Sequence, residues 1–203
     1  MKLSTLAGIF RNRSHLKELV NNHLHFLENA DTSFWGSITR EDMLAIIKNV
    51  EKAATYPGSI IEIGALFGFT TQLIAAHKPK EKPLIAVELF CWNPFGLSRD
   101  DHKLFIGRVL YYSIKHCNTS IHEGSNQQFY QSFAGEKPAM IFIDADHTYE
   151  GVMVDIAWAK KMEIPVICGH DYSDLHPGVI RAVKEAFGDK VSVTGSVWTV
   201  IRD

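Results

Sequence analysis

From residue 57 onward, short runs of β-branched and other apolar residues alternate with longer segments of helical periodicity. The predicted strands cover 59–63, 84–88, 120–122, 139–144, 165–168, 191–194 and 197–201. The predicted helices between them cover 69–77, 100–116, 126–133, 149–161 and 178–187. Strands that alternate with helical segments indicate βαβ units, and therefore a mostly parallel sheet with helices on its faces.

The two ends of the chain add to this pattern. Only Gly195 and Ser196 separate the last two predicted strands, so these strands form a hairpin and make one edge of the sheet antiparallel. Residues 14–30 and 39–54 carry apolar residues at helical spacing. We therefore predict an α/β fold with a mostly parallel, seven-stranded sheet, an antiparallel C-terminal hairpin and N-terminal helices. Residues 1–56 are expected to form a helical cap, and residues 57–203 the core of one compact unit.

Composition and charge disfavour several classes of protein. The 203 residues suit one domain, whose core is large enough to fold without disulfides or metals. The net charge of −2 disfavours a nucleic-acid groove, since such grooves carry a basic field. No apolar run approaches the ~20 residues that cross a membrane, so we expect no membrane partner. Three cysteines without C-x-x-C spacing fit a reducing compartment, and we expect a cytoplasmic protein.

A glycine-containing turn follows the first predicted strand. Gly64 and Gly68 lie between this strand and the next helix, and Glu62 precedes them. Glycine lets the chain turn sharply and approach a ligand, so Gly64→Val is expected to block binding without disturbing the distal core. The turn lacks the tight G-x-G and the third glycine of dinucleotide sites. It also lacks the Gly-Lys-Ser/Thr of phosphate loops.

A second acidic residue, Glu88, closes the next predicted strand, 24 residues after Gly64. A carboxylate at this place can accept hydrogen bonds from both hydroxyls of a ribose. The alternatives are that Glu88 is a solvent-facing strand end and that Glu62 caps a neighbouring helix. The two acids and the glycine turn together favour a nucleoside-containing ligand.

Acidic and histidine residues follow two further predicted strands. Asp144 and His147 follow one strand, and His170 with Asp171 follows the next. The carboxyl ends of parallel strands meet at one edge, where open α/β sheets bind ligands. Oxygen and imidazole donors clustered there suit Mg²⁺ or Mn²⁺. The alternatives are that a residue after this strand, Asp146 or Thr148, caps the helix that starts near 149 and that the histidines are structural.

Residues 57–203 resemble the class I S-adenosylmethionine-dependent methyltransferases, whose core is Rossmann-like. The resemblance rests on Glu62, the two glycines and Glu88. It implies that the glycine turn holds the methionine end, Glu88 the ribose, and the loop around Ser125 the adenine. The aromatic residues of segment 90–95 are candidates for the adenine wall. The cofactor residues implied in this way are Glu62, Gly64, Gly68, Thr70, Glu88, Ser125 and Asp144.

The second group of residues resembles a subgroup of that family, the macrocin-type and cephalosporin-tailoring small-molecule O-methyltransferases. This resemblance implies that Asp144 is a metal ligand and that His147 is a catalytic base. It also implies metal binding by His170 and Asp171. The family often has an acid where His170 stands, and one fewer negative charge weakens the affinity for a hard cation.

The function predicted from the sequence is methyl transfer from S-adenosylmethionine to a small hydroxylated molecule, assisted by Mg²⁺ or Mn²⁺. One alternative is a metal-free methyltransferase in which His147 or Asp144 alone orients the acceptor. Another is a non-catalytic module that binds an adenosyl ligand, and the glycine spacing disfavours a nicotinamide oxidoreductase. The expected partner is a small-molecule acceptor, with no nucleic acid, and the resemblance favours a homodimer.

Overall fold

The protein is described here by a computed structural model, which covers residues 38–202. A seven-stranded sheet crosses it in the order β3-β2-β1-β4-β5-β7-β6. The strands are β1 (Ile60–Ile63), β2 (Leu84–Glu88), β3 (Thr119–Glu123), β4 (Met140–Ile143), β5 (Val166–Gly169), β6 (Ser192–Thr194) and β7 (Val197–Ile201). β1 to β5 are parallel, whereas β7 runs antiparallel to both β5 and β6. The predicted sheet and its antiparallel hairpin are confirmed.

Seven α-helices connect and cover these strands in the described part of the chain. They are α1 (Arg40–Ala54), α2 (Phe69–His77), α3 (Arg99–Val109), α4 (Tyr111–His116), α5 (Asn126–Ser132), α6 (Tyr149–Lys161) and α7 (Pro177–Phe187). The helix predicted at 14–30 lies outside the described residues. None of the helices described is long and apolar enough to cross a lipid bilayer.

The single helix predicted at 100–116 is wrong, because the chain bends at Leu110 and forms α3 and α4. The hydrogen bonds continue through the bend, from the Leu110 N–H to the Ile106 carbonyl and from the Ile114 N–H to the Leu110 carbonyl. Leu110 is fully buried in a cluster with Ile106 and Ala86. The bend therefore lies where the helix turns a buried side chain towards the sheet, which the spacing of apolar residues did not reveal.

The sheet carries a core on each face. On β4, Met140 and Phe142 join one cluster, while Ile141 and Ile143 join the other, as the alternation of side chains along a strand requires. Helices α1 and α2 cover the first face. Helices α5, α6 and α7 supply buried residues to the second face. Because both faces are covered, the ligand-binding positions are left at the ends of the strands.

Helix α1 packs directly on the sheet. Thr39 and Asp42 form a capping box at its N-terminus. Ile46 and Val50 of α1 are fully buried and share a cluster with the strands. The separation of a cap at residues 1–56 from the core stays a prediction.

Candidate active site

Strand register places four residues in a row at the carboxyl edge. Ile63 of β1 is paired with Val87 of β2 and with Ile143 of β4, and Ile143 is paired with Gly169 of β5. The residues that follow in register are Glu88, Gly64, Asp144 and His170. Residues that lie far apart in the chain therefore become neighbours along one edge.

The backbone of the glycine turn is held closely by its surroundings. Gly64 has a φ of 90°, a conformation that side chains rarely adopt. A Cβ built on Gly64 would overlap the carbonyl oxygen of Asp144, which belongs to the neighbouring strand end. The backbone of Asp144 therefore leaves no space for a side chain at position 64. The substitution Gly64→Val would push β1 and β4 apart, so the expectation that it leaves the distal core undisturbed is wrong. Its effect on ligand binding stays a prediction.

Glu88 binds the turn from the neighbouring strand. Its Oε2 accepts the N–H of Leu66 at 2.7 Å, and its Oε1 accepts the N–H of Phe90 at 2.8 Å. Leu66 has a left-handed φ of 46°. Its carbonyl oxygen accepts a hydrogen bond from Nε2 of buried His102 at 2.6 Å. Glu88 and His102 together hold this residue in a conformation that Leu adopts at an energetic cost.

Glu62 is fully buried beneath this turn. Neither of its carboxylate oxygens has a hydrogen-bond partner among residues 38–202. Burial disfavours the charged form and raises the pKa of Glu62 to about 8, against the lowering effect of the nearby Thr71 hydroxyl, and the charges of Asp144 and Glu88 also raise it. A buried carboxyl group with two unpaired oxygens is unusual in a folded protein.

An open cleft of about 660 Å³ lies above this edge. The predicted site residues that line it are Gly64, Thr70, Glu88, Ser125, Asp144 and His147. Glu62, Gly68, His170 and Asp171 do not line it. Gly68 is instead the N-cap of α2 and packs against side chains of α3 and the bend that follows it.

Two loops complete the cleft wall. Ser125 is the N-cap of α5, and its hydroxyl accepts the N–H of Gln128 at 3.1 Å. Trp92 lines the cleft and is 59% exposed, whereas Phe95 packs against Phe67 in an apolar cluster. The aromatic segment after β2 is therefore divided between the cleft and the core.

The acid and histidine residues after β4 and β5 form one cluster. Nε2 of His147 lies 2.7 Å from Oδ2 of Asp171 and 3.8 Å from Oδ1 of Asp144. Nδ1 of His170 lies 3.5 Å from Oδ1 of Asp171 and 3.9 Å from Oδ1 of Asp144. Asp171 has a left-handed φ of 59°, a conformation that Asp tolerates better than most residues. Register and this local turn together bring the predicted catalytic and metal-binding residues into contact.

The cluster changes the protonation of its members. The pKa of His147 is raised to about 10, first by Asp144 and then by Asp171. Burial would lower the pKa of His170, but Asp171 and Asp42 outweigh it and raise this pKa to about 10. Burial would raise the pKa of Asp171, but the two histidines outweigh it and hold the pKa below its usual range.

Donor atoms in the cluster lie close enough to share a cation. Ligand atoms of Asp144, His170 and Asp171 all lie within 4.8 Å of one another, and so do those of His147, Asp171 and His176. Two carboxylates with imidazole nitrogens form a donor set that divalent cations accept. The predicted metal residues therefore fit such an ion in both chemistry and spacing.

Sequence reasoning missed three residues that support this edge. Asp42 and Ser196 contact His170 from the first described helix and from the β6–β7 turn, and His102 holds the glycine turn. In the sequence, the spacing of Asp42 from Thr39 indicates only a helix cap. His102 lies 36 residues from Leu66, and Ser196 lies 154 residues from Asp42, so no local sequence pattern predicts either contact.

Solved structures share this fold at low sequence identity. An O-methyltransferase from Bacillus cereus in complex with SAH is 19% identical, with 93% of this chain and 91% of that chain covered and a TM-score of 0.62. TomG from Streptomyces achromogenes, an O-methyltransferase of tomaymycin synthesis in complex with SAM, is 14% identical, with 100% and 91% covered and a TM-score of 0.62. A calicheamicin methyltransferase is 13% identical, with 99% and 93% covered and a TM-score of 0.64.

Sequence comparison points the same way. No curated protein matches the sequence significantly. The family model for a methyltransferase domain matches residues 61–172, which is more than half of the chain and includes the glycine turn, Glu88 and the acid–histidine cluster. The chain therefore belongs to the methyltransferase-domain family, as its resemblance to class I methyltransferases predicted.

Proposed function

We propose that the protein transfers a methyl group from S-adenosylmethionine to a hydroxyl group of a small molecule, with a divalent cation held by Asp144, His170 and Asp171. One observation carries the proposal: strand register brings the glycine turn and the acid–histidine cluster to the same edge of the sheet, where Asp144 and His147 line the cleft. The O-methyltransferases of similar fold, two of them with SAM or SAH bound, support it.

The residues at the turn fit S-adenosylmethionine. Glu88 lies in the cleft wall, and its oxygens keep further acceptor capacity for ribose hydroxyls beyond the two N–H groups that they already bind. Glu62 is a buried carboxyl group without a donor, so a nearby cationic ligand would favour its charged form. The cofactor supplies a methyl group on a positively charged sulfonium.

The cluster fits a divalent cation in the same way. Asp144 and Asp171 bring negative charge, and Nδ1 of His170 faces both of them. A cation bound there supplies a Lewis acid that lowers the pKa of an acceptor hydroxyl. A small molecule with two neighbouring hydroxyl groups, such as a sugar or a catechol, suits this arrangement.

His147 is the residue whose role depends on the cluster. With two carboxylates beside Nε2, its pKa is raised to about 10, so the imidazole carries an extra proton at neutral pH when no cation is bound. Its pKa returns towards the ordinary range when Asp144 and Asp171 are engaged elsewhere. This observation disfavours the metal-free alternative in which His147 removes the proton unaided.

The test uses a panel of sugars and catechols, with release of S-adenosylhomocysteine as the measurement. We expect turnover with Mg²⁺ or Mn²⁺, and its loss in EDTA. Asp144→Asn and Asp171→Asn should each reduce turnover by at least 100-fold, while calorimetry shows nearly unchanged S-adenosylmethionine affinity. Asp174→Asn is the matched control, because Asp174 is an exposed acid on the next loop.

Two results would contradict the metal mechanism. One is full turnover in EDTA, and the other is an Asp144→Asn protein that turns over normally when the cation is added. Binding of S-adenosylmethionine without turnover of any acceptor in the panel would instead favour a non-catalytic binding module.

A further inference from the structure

The imidazole of His170 faces two different environments. Its Nδ1 faces the candidate cation site, 3.5 Å from Oδ1 of Asp171. Its Nε2 faces the interior, 2.8 Å from Oγ of Ser196 and 3.4 Å from Oδ2 of Asp42. The ring therefore connects the site to a buried polar support.

The hydrogen bonds of this support determine which nitrogen carries a proton. The Ser196 hydroxyl donates its single proton to Oδ1 of Asp42 at 3.2 Å, so its oxygen accepts from Nε2 of His170. The Asp42 carboxylate also favours a proton on Nε2, because it lies beside this nitrogen. When the ring loses one of its protons to bind a cation, Nε2 therefore keeps its proton and Nδ1 is the nitrogen that offers a lone pair for the ligand bond.

Asp42 is fixed in place from several sides. It is only 1% exposed, and its Oδ2 accepts the N–H and the hydroxyl of Thr39 at 2.9 and 2.7 Å. Its Oδ1 accepts the N–H of Ser196 at 2.7 Å. A Cβ on Gly195 would overlap this oxygen, so the hairpin turn closes directly over the carboxylate. A carboxylate held in this way fixes the orientation of the histidine that it contacts.

We propose that Asp42 and Ser196 position His170 as an imidazole ligand, so that the site binds a first-row transition-metal cation such as Mn²⁺ in preference to Mg²⁺. This inference rests on the divalent-cation function proposed above. Mg²⁺ prefers oxygen ligands and water, whereas first-row transition metals accept imidazole nitrogen readily. A ligating histidine commonly donates its other N–H to a fixed acceptor, and here Ser196 Oγ is that acceptor while the Asp42 carboxylate lies beside it.

The experiment measures cation binding directly on the full chain. Mn²⁺ is titrated and followed by electron paramagnetic resonance, with Mg²⁺ as the competitor. The wild-type protein is expected to bind Mn²⁺ at least tenfold more tightly than Mg²⁺, with nitrogen coupling from an imidazole in the pulsed spectrum. His170→Asp should abolish this coupling and bring the two affinities closer together.

The positioning role is tested with variants of the support. Asp42→Asn should weaken Mn²⁺ binding by about 10–100-fold, with a smaller effect on Mg²⁺. Thr39→Ala is the control for the lost helix cap, since it removes a hydroxyl that binds Asp42 but leaves both contacts of His170. Ser196→Ala removes the hydroxyl that contacts His170 but keeps the Asp42 carboxylate, and it should also weaken Mn²⁺ binding. This second variant keeps the positioning role testable if Asp42→Asn does not fold.

The outcomes separate this inference from the proposed function. Binding of neither cation would overturn both. Equal affinities for Mn²⁺ and Mg²⁺, or an unchanged ratio in His170→Asp, would overturn the preference and leave the proposed function in place. Equal weakening by Thr39→Ala and Asp42→Asn would show that Asp42 only caps the helix, and would overturn its positioning role.

Discussion

Two carboxyl groups at the same edge of the sheet differ in their hydrogen bonding. Glu88 accepts one backbone N–H at each oxygen, whereas neither oxygen of Glu62 has a partner within residues 38–202. A buried carboxyl group without donors favours its neutral form, which explains why burial raises the pKa of Glu62 to about 8. The charge of Glu62 is therefore unfavourable in the protein without its cofactor.

This difference predicts a pH-dependent effect on stability. Because the pKa of Glu62 is raised in the folded protein, its contribution is fully present below the unfolded value of about 4.5 and is lost as pH rises through about 8. A rise of this size corresponds to at most about 5 kcal/mol. Glu62→Gln should therefore raise the free energy of unfolding above that of the wild type at pH 8.5, but much less at pH 5.

The measurement is urea denaturation of both proteins at several pH values. Glu51→Gln is the control, because Glu51 is an exposed acid on α1. A stability difference that does not change between pH 5 and pH 8.5 would show that Glu62 is charged throughout, and that its buried environment supplies donors.

At the scale of elements, the sequence predicted the bounds of strands that are set by neighbouring residues in the chain. The predicted bounds 84–88 and 197–201 agree with β2 and β7, since an apolar run between turn residues is a local signal. The bend at Leu110 was missed, because it depends on contacts of this side chain with other elements. The glycine turn was located correctly, but the reason for Gly64 came only from the neighbouring strand end.

The neighbouring strand end predicts a stability effect at Gly64. Gly64→Ala should destabilise the fold by about 2–4 kcal/mol, because the new Cβ meets the Asp144 carbonyl and φ is positive. Gly107→Ala on α3 is the matched control, since a Cβ there meets nothing within 4 Å. This control should stabilise the protein by about 0.5–1 kcal/mol. Thermal unfolding of both variants measures these changes in stability. Equal stability of Gly64→Ala and the wild type would contradict the close contact between position 64 and the Asp144 carbonyl oxygen.

At the scale of the whole molecule, the candidate site is assembled by two kinds of contact. The approach of Asp144 and His170 could be predicted, because parallel strands end at the same edge of a sheet. The support of His170 could not, because Asp42 and Ser196 are separated by 154 residues and meet only when α1 and the hairpin close on the sheet. Sequence patterns therefore located the ligands and missed what holds one of them.

The whole-molecule prediction concerns the class of ligand that stabilises the fold. A ligand that binds only the folded state at 100 times its dissociation constant adds about 2.7 kcal/mol, which is roughly 5–10 °C in melting temperature for a chain of this size. S-adenosylmethionine should give such a shift, and NAD should not, because the turn after β1 has the spacing Gly64-x-x-x-Gly68 rather than the tighter dinucleotide pattern. The same measurement tests Glu88. Glu88→Ala should reduce the shift with S-adenosylmethionine, since it removes an acceptor from the cleft wall and also releases the N–H of Leu66.

Glu88→Gln separates the loss of charge from the loss of the acceptor, because it keeps one acceptor oxygen and loses the charge. A larger shift with NAD than with S-adenosylmethionine, or a full shift in Glu88→Ala, would mean that the ligand is held elsewhere than at the end of β2.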